Sequence, residues 1–208
     1  EPTVVGGADR GWRTAGGRRA AASGRTRHHT AFTPPNAGTR CAARTLMSRP
    51  RPIVAGATYL VTRRTLRRHH LLRPDPAMRA LVVYLLAVSS QRHGIQVHAF
   101  CAMSTHLHLV VTDPHARLPL FLAFFHRLLA LATKVLRKWD GAVWDHEQTS
   151  VVRLETVEAV VDKIGYVLAN PVAAGLVRRA CDWPGAKSDV ADVGRRALRA
   201  ARPDVYLD

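Results

Sequence analysis

The chain is poor in several things, and each scarcity narrows what it can be. It has three cysteines, Cys41, Cys101 and Cys181, scattered and without a CxxC pair. Neither a disulfide framework nor a zinc ribbon fits that spacing, and a reducing compartment does. Acidic residues number 15 against 31 Lys and Arg. No P-loop and no dinucleotide-type glycine pattern occurs, so nothing argues for a nucleotide cofactor. The first thirty residues hold no apolar run of the kind a secretory signal needs, and the expectation is a cytoplasmic protein. The most apolar stretch, Leu118 to Leu136, is interrupted by His126, Arg127 and Lys134. It reads as a buried amphipathic helix, and no membrane association is expected. No internal repeat is visible.

What the chain does have is positive charge and an uneven apolar pattern. The formal net charge is +16. Residues 1–50 carry nine Arg against two acids, and the remainder is also basic. Such a balance favours a polyanionic partner, although an arginine-rich surface that serves only solubility has the same composition. Residues 1–50 are rich in Gly, Ala, Arg, Thr and Pro and offer little to bury, so a disordered basic extension is expected there. Met47 precedes the first patterned segment and is a candidate natural start. The folded domain is expected over 51–190, with a tail over 191–208.

The periodicities predict β-α-β-β-α-(β)-α. A β-branched and aromatic strand spans 57–63, and a helix runs from Pro76 to about Arg92 before Gly94. Two strands, 96–103 and 106–112, meet at a tight Ser104-Thr105 turn. A long helix covers 118–139, a weak strand 150–154, and a third helix 156–170 that Pro171 should end. The fold class is therefore α+β: a sandwich with helices covering one sheet face and the other face open for binding.

Two features carry chemistry. In His106-Leu107-His108-Leu109 a strand period of two puts both imidazoles on one face and the leucines on the other. Paired imidazoles on an open face can hold one divalent cation, and with oxygen ligands and phosphate that cation can be Mg²⁺ or Mn²⁺. The bland alternative is two strand histidines without a ligand. On the third helix, stepping about 100° per residue, Val157, Val160, Val161, Ile164, Val167 and Leu168 fall in an apolar stripe roughly 120° wide. Tyr166 lies nearly opposite, with Asp162 and Asn170 one turn to either side of it. Tyr166 is thus either an ordinary exposed tyrosine or a phenol nucleophile. A free phenol, with a pKa of about 10, needs help from a metal or base to attack at neutral pH.

Together these segments resemble the HUH-type single-tyrosine transposases, and most closely the REP-associated tyrosine transposases of bacteria. The resemblance runs from about Ile53 to Ser188. GATYLVTRRT is similar to the family's opening GxxYxVT strand, HAFCAMSTHLHLVV to its His-pair hairpin, YVLANPVAAGLV to the end of its tyrosine helix, and DWPGAKSD to its closing segment. The chain departs from the family pattern in four places, one of them Asn170, a weaker metal ligand than the acidic or Gln residue of some relatives. Its hairpin turn is Ser104-Thr105 where Pro followed by Asn or Glu is usual. Gly185 stands where an aromatic is common, and Asp189 stands where the second serine falls.

The resemblance implies a ferredoxin-like sandwich with an antiparallel sheet of four to five strands and helices on one face. It also implies paired metal ligands at His106 and His108, a supporting polar ligand at Asn170 and a nucleophile at Tyr166. The implied activity is nicking and rejoining of single-stranded, hairpin-flanked DNA through a 5′-phosphotyrosine link, by a monomer or a homodimer. Candidate phosphate contacts are Arg63, Arg64, Arg67, Arg68, Arg137, Lys138, Arg178 and Arg179, and Trp139 and Trp144 could stack on bases. Three rival readings stand beside this one: a relative that keeps these residues and binds DNA hairpins without cutting, a metal-dependent nuclease using water with an added carboxylate such as Asp113 or Asp145, and a plasmid relaxase or replication initiator of the wider superfamily.

Overall fold

The computed structural model describes residues 52–195 and 197–204. The extension expected over 1–50 and the candidate start at Met47 lie outside the described residues. Four strands form one antiparallel sheet: β1 (Ala57–Arg64), β2 (Gln96–Ala102), β3 (His106–Asp113) and β4 (Ser150–Leu154). Their order is β2-β3-β1-β4. Three helices join and follow them: α1 (Pro76–His93), α2 (Leu118–Arg137) and α3 (Val157–Ala173). α1 and α2 are the two crossovers of a split β-α-β-β-α-β arrangement, which is the ferredoxin-like plan.

Each helix begins and ends where local chemistry requires. The Asp75 carboxylate accepts from the Met78 N–H at 2.8 Å, with Pro76 in the first turn, and Gly94 closes α1 at φ 69°. The fully buried Asp113, at the end of β3, accepts from the N–H groups of His115 (3.1 Å) and Leu118 (2.6 Å) and so starts α2. Thr156 accepts from Ala159 N–H at the head of α3. α3 does not stop at Pro171 but continues to Ala173. Proline's missing N–H forfeits one bond, yet its ring is buried, and the exit is made three residues later. There Gly175 (φ 68°) donates to Val172 O and Leu176 donates to Pro171 O, a Schellman ending.

Alternation in β3 divides the core in two. Leu107, Leu109 and Val111 join Tyr59, Val61 and Phe100 under α1 and α2. Val110 joins Ala99, Cys101, Met103, Val167, Leu168 and Trp183 on the opposite face. α2 is long and apolar enough to cross a membrane by length and composition. Its Phe121, Phe125 and Leu129 are nevertheless fully buried in the first core, as an amphipathic core helix requires.

The second sheet face is not left open as expected: α3 lies over β2 and β3. With one face already filled by the two crossovers, the apolar side of α3 has only the other face to cover. Its roll also differs from the pattern. Val167, Leu168 and Pro171 are buried, whereas Val157 and Val161 are 75% and 63% exposed. The helix has turned its stripe partly to solvent, which brings Tyr166 to the flank of the contact instead of its back.

Residues 183–188 cover the free edge of β2, where an unpaired edge would otherwise invite another strand. Ala102 N–H donates to Ala186 O (2.8 Å), Ser188 N–H to Phe100 O (2.8 Å), and the Trp183 indole to Ala102 O (3.1 Å). Gly185 is required here. A Cβ would meet the Trp183 indole nitrogen and stand 3.0 Å from Ala102 O. Gly185→Ala should therefore cost about 1–3 kcal/mol. The check is a urea titration, and an unchanged midpoint would mean the indole is free to move.

His126 on α2 sets a pH dependence. It is 8% exposed, its Nε2 has no partner, and burial pushes its pKa down to about 3, with Arg63 adding to the shift. Its unfolded value is 6.5. Between those values the unfolded chain binds the proton and the folded chain does not. This contribution is therefore complete above the unfolded value and is lost as the pH falls, by at most about 1.4 kcal/mol per pH unit. His126→Gln should flatten that part of the stability profile between pH 4 and 6, as read from urea midpoints. An unaltered profile would refute it.

Candidate active site

His108 and His106 sit at the start of β3 on the α3 side. Strand register puts Thr62 of β1 beside His108, and Ser150 of β4 beside Thr62. Thr62 Oγ1 lies 2.9 Å from His108 Nδ1, and Thr105 Oγ1 lies 3.0 Å from His106 Nδ1. The two imidazoles are 4.8 Å apart between centroids, with planes at 86°. The hairpin carrying them is pinned. Met103 N–H donates to His106 O, and both the N–H and the hydroxyl of the buried Thr65 donate to Thr105 O at 2.8 Å.

Tyr166 meets His108 of this pair. Its ring stands edge-on to His108 at 5.5 Å between centroids, and the residue is 49% exposed, so one side packs and the other faces solvent. A cavity of about 400 Å³ opens beside His108 and Tyr166, lined by Thr62, Arg64, His108, Asp145, Glu147, Gln148, Ser150 and Tyr166 but not by His106. Asn170, one turn beyond Tyr166, does not line it. Its amide Nδ2 donates to Tyr166 O at 3.1 Å, which leaves Oδ1 as its atom for a cation.

Electrostatics keep the imidazoles neutral. Burial pushes His108 down to about 4, with His106 and Arg64 adding to the shift. Burial also lowers His106, helped by Arg64 and Arg68. A neutral ring has one nitrogen lone pair to offer. The Nε2 of His108 is buried and has no hydrogen-bond partner. An orphaned ring nitrogen beside a second imidazole fits a divalent cation, which would supply the missing contact. Among the described residues no third His, Cys, Asp or Glu converges on the pair. Asn170, phosphate or water would have to complete the shell.

The basic candidates fall into distinct settings. Arg64 lines the cavity and pairs with Glu147 at 3.6 Å. Arg67 and Arg68 are exposed just after β1 with left-handed backbone (φ 46° and 55°). Arg63 is engaged structurally: its guanidinium donates to the carbonyls of Glu147 and Asp145 and lies over the Trp144 ring. Arg137 is engaged too, with Leu71 O, Arg73 O and the Asp75 carboxylate. Arg179 pairs with Asp182. Lys138 and Arg178 are exposed and do not line the cavity. The Trp144 indole donates to His126 O and packs against the core, and Trp139 rests on His69.

Of the two carboxylates a water-using nuclease could employ, Asp113 is committed to the start of α2 while Asp145 faces the cavity. The pattern did not single out Thr62, Glu147, Gln148 or Ser150. Thr62 and Ser150 could have been found only from the strand register, and the loop residues carry no periodic signal.

Among solved structures, a REP-associated tyrosine transposase bound to a REP hairpin superposes with a TM-score of 0.59. It is 17% identical, and the match covers 76% of this chain and 96% of that one. This chain has the REP-associated tyrosine transposase fold. The shared part spans nearly all of that transposase. A second structure, a "putative transposase" from Deinococcus radiodurans R1, is 20% identical at a TM-score of 0.40, with 60% of this chain and 97% of that one covered. No family model matches the chain, and no curated protein does.

Proposed function

We propose that this protein is a DNA strand transferase that nicks and rejoins single-stranded, hairpin-flanked DNA with Tyr166 as nucleophile. The observation that carries the reading is the Tyr166 ring 5.5 Å from His108 at the mouth of a cavity that also holds Arg64. Sequence separation alone gives a tyrosine on α3 and a histidine on β3 no reason to meet. The shared transposase fold supports it as well.

His106 and His108, through Nε2, would hold Mg²⁺ or Mn²⁺ with Asn170 in support. When bound, the ion supplies positive charge against the scissile phosphate. Arg64, with Arg67 and Arg68 just outside, orients the phosphate by charge-assisted hydrogen bonds. Tyr166 Oη attacks phosphorus in line, a P–O bond to Tyr166 forms, and the bond to the 3′ oxygen breaks. The phenolic proton leaves to water in the open cavity, and the departing oxygen takes one up as a 3′-hydroxyl. The 5′-phosphotyrosine link conserves the bond energy, so a 3′-hydroxyl can reverse the step and join new ends without a nucleotide cofactor.

The test is incubation with a hairpin-bearing single strand taken from the flanks of the protein's own gene, with Mg²⁺ or Mn²⁺. A covalent protein–DNA adduct on a denaturing gel is the expected result. The position of Asp145 in the cavity favours one second reading, hydrolysis by water, which would give cleavage without adduct. Binding without cleavage would leave a hairpin-binding protein.

A further inference from the structure

We propose that the hydroxyls of Thr62 and Thr105 are positioning groups that hold His108 and His106 as Nδ1–H tautomers, leaving Nε2 of both rings bare for a cation. The inference rests on the reading that the histidine pair binds a divalent ion.

A neutral imidazole has one N–H and one lone pair, and which nitrogen carries which is set by the partner of the other. In both histidines the nitrogen with a partner is Nδ1, and in both that partner is a threonine hydroxyl, at 2.9 Å and 3.0 Å. The two contacts arise independently. Thr62 reaches His108 across the β1–β3 ladder, where the two are direct partners. Thr105 reaches the ring of its own neighbour from the hairpin turn. A hydroxyl oxygen can accept from Nδ1–H, whereas an Nε2–H on His108 would be a buried donor with no acceptor. The Nδ1–H form places the lone pair at that buried position, and a cation completes it. The two ring planes stand at 86° to one another, and a separate hydroxyl partner on each ring holds it at its own angle. Thr105 is itself fixed by the two bonds from Thr65 to its carbonyl, which carries the restraint back to the end of β1.

The experiment uses the full chain with ¹⁵N-labelled histidine. In metal-free wild type, long-range ¹H–¹⁵N correlation should show His106 and His108 as Nδ1–H tautomers, and Thr62→Val should convert His108 to a mixture. Mn²⁺ titration should then show affinity reduced about 10–100-fold in Thr62→Val and in Thr105→Val. The serine variants, which retain the hydroxyl, should bind like wild type. Valine suits a strand position, so Thr62→Val should fold; Thr62→Ala serves if it does not. An Nε2–H tautomer in wild type overturns the inference, as do valine variants that bind Mn²⁺ like wild type. Wild type that binds no Mn²⁺, or His108→Ala that binds it equally well, would instead defeat the metal-site reading. The tautomer measurement in metal-free protein judges the threonines separately.

Discussion

Tyr166→Phe should abolish the covalent adduct and lower strand cleavage by about 10⁴-fold or more, equivalent to roughly 5.5 kcal/mol of barrier. Hairpin binding should change by no more than about threefold, since one exposed hydroxyl contributes little to an interface held by phosphate contacts. The substitution is clean because the ring, which packs edge-on to His108, is retained and only Oη is lost. The affected atom is the one that would form the bond to phosphorus, so no neighbouring group can substitute within the same mechanism. Cleavage that persists in Tyr166→Phe, scored with end-labelled hairpin oligonucleotides, would remove Tyr166 from the chemistry. It would leave Asp145 and water as the agents.

The second large effect concerns the histidine pair. His108→Ala is expected to reduce cleavage about 10²–10⁴-fold, and EDTA should stop the wild type, because charge stabilisation by a bound ion is worth several kcal/mol at a scissile phosphate. His108 is 4% exposed and packs between Thr62 and Tyr166, so its loss also opens a gap. His108→Gln fills more of that volume and guards against a folding artefact. A thermal melt matching wild type, together with lost cleavage, isolates the chemical role. Full activity in EDTA-treated protein would show that the imidazoles serve something other than a metal.

Much of this molecule can be read from periodicity. The alternation His106-Leu107-His108-Leu109 sorts the two faces correctly because a strand's side chains have no third direction in which to point. Pro76 and Gly94 mark the bounds of α1 because a proline-led first turn and a left-handed exit are local chemistry. Pro171 misled for a related reason. A proline inside a helix is costly locally, but burial of its ring and a glycine-closed exit outweigh that cost, and both depend on tertiary contacts. The roll of α3 was also hidden. A stripe of six apolar residues identifies an amphipathic helix, yet only packing against β2 and β3 decides which part of the stripe is covered. The basic candidates show the same divide. An arginine's charge is visible in the sequence, but the engagement of Arg63 and Arg137 with backbone carbonyls is not.

The sequence alone determined the α+β class, the order of the elements, the pairing of the histidines on one strand face and the choice of Tyr166 as the tyrosine to watch. Only the tertiary structure decided that α3 lies on the histidine face, that Tyr166 reaches His108, and that Thr62, Ser150 and the 145–148 loop share its cavity. The physical reason is range. Periodicity and capping act over a few residues, whereas this site joins residues about a hundred positions apart. Their approach is fixed by sheet register and by which face the two crossover helices leave for a third.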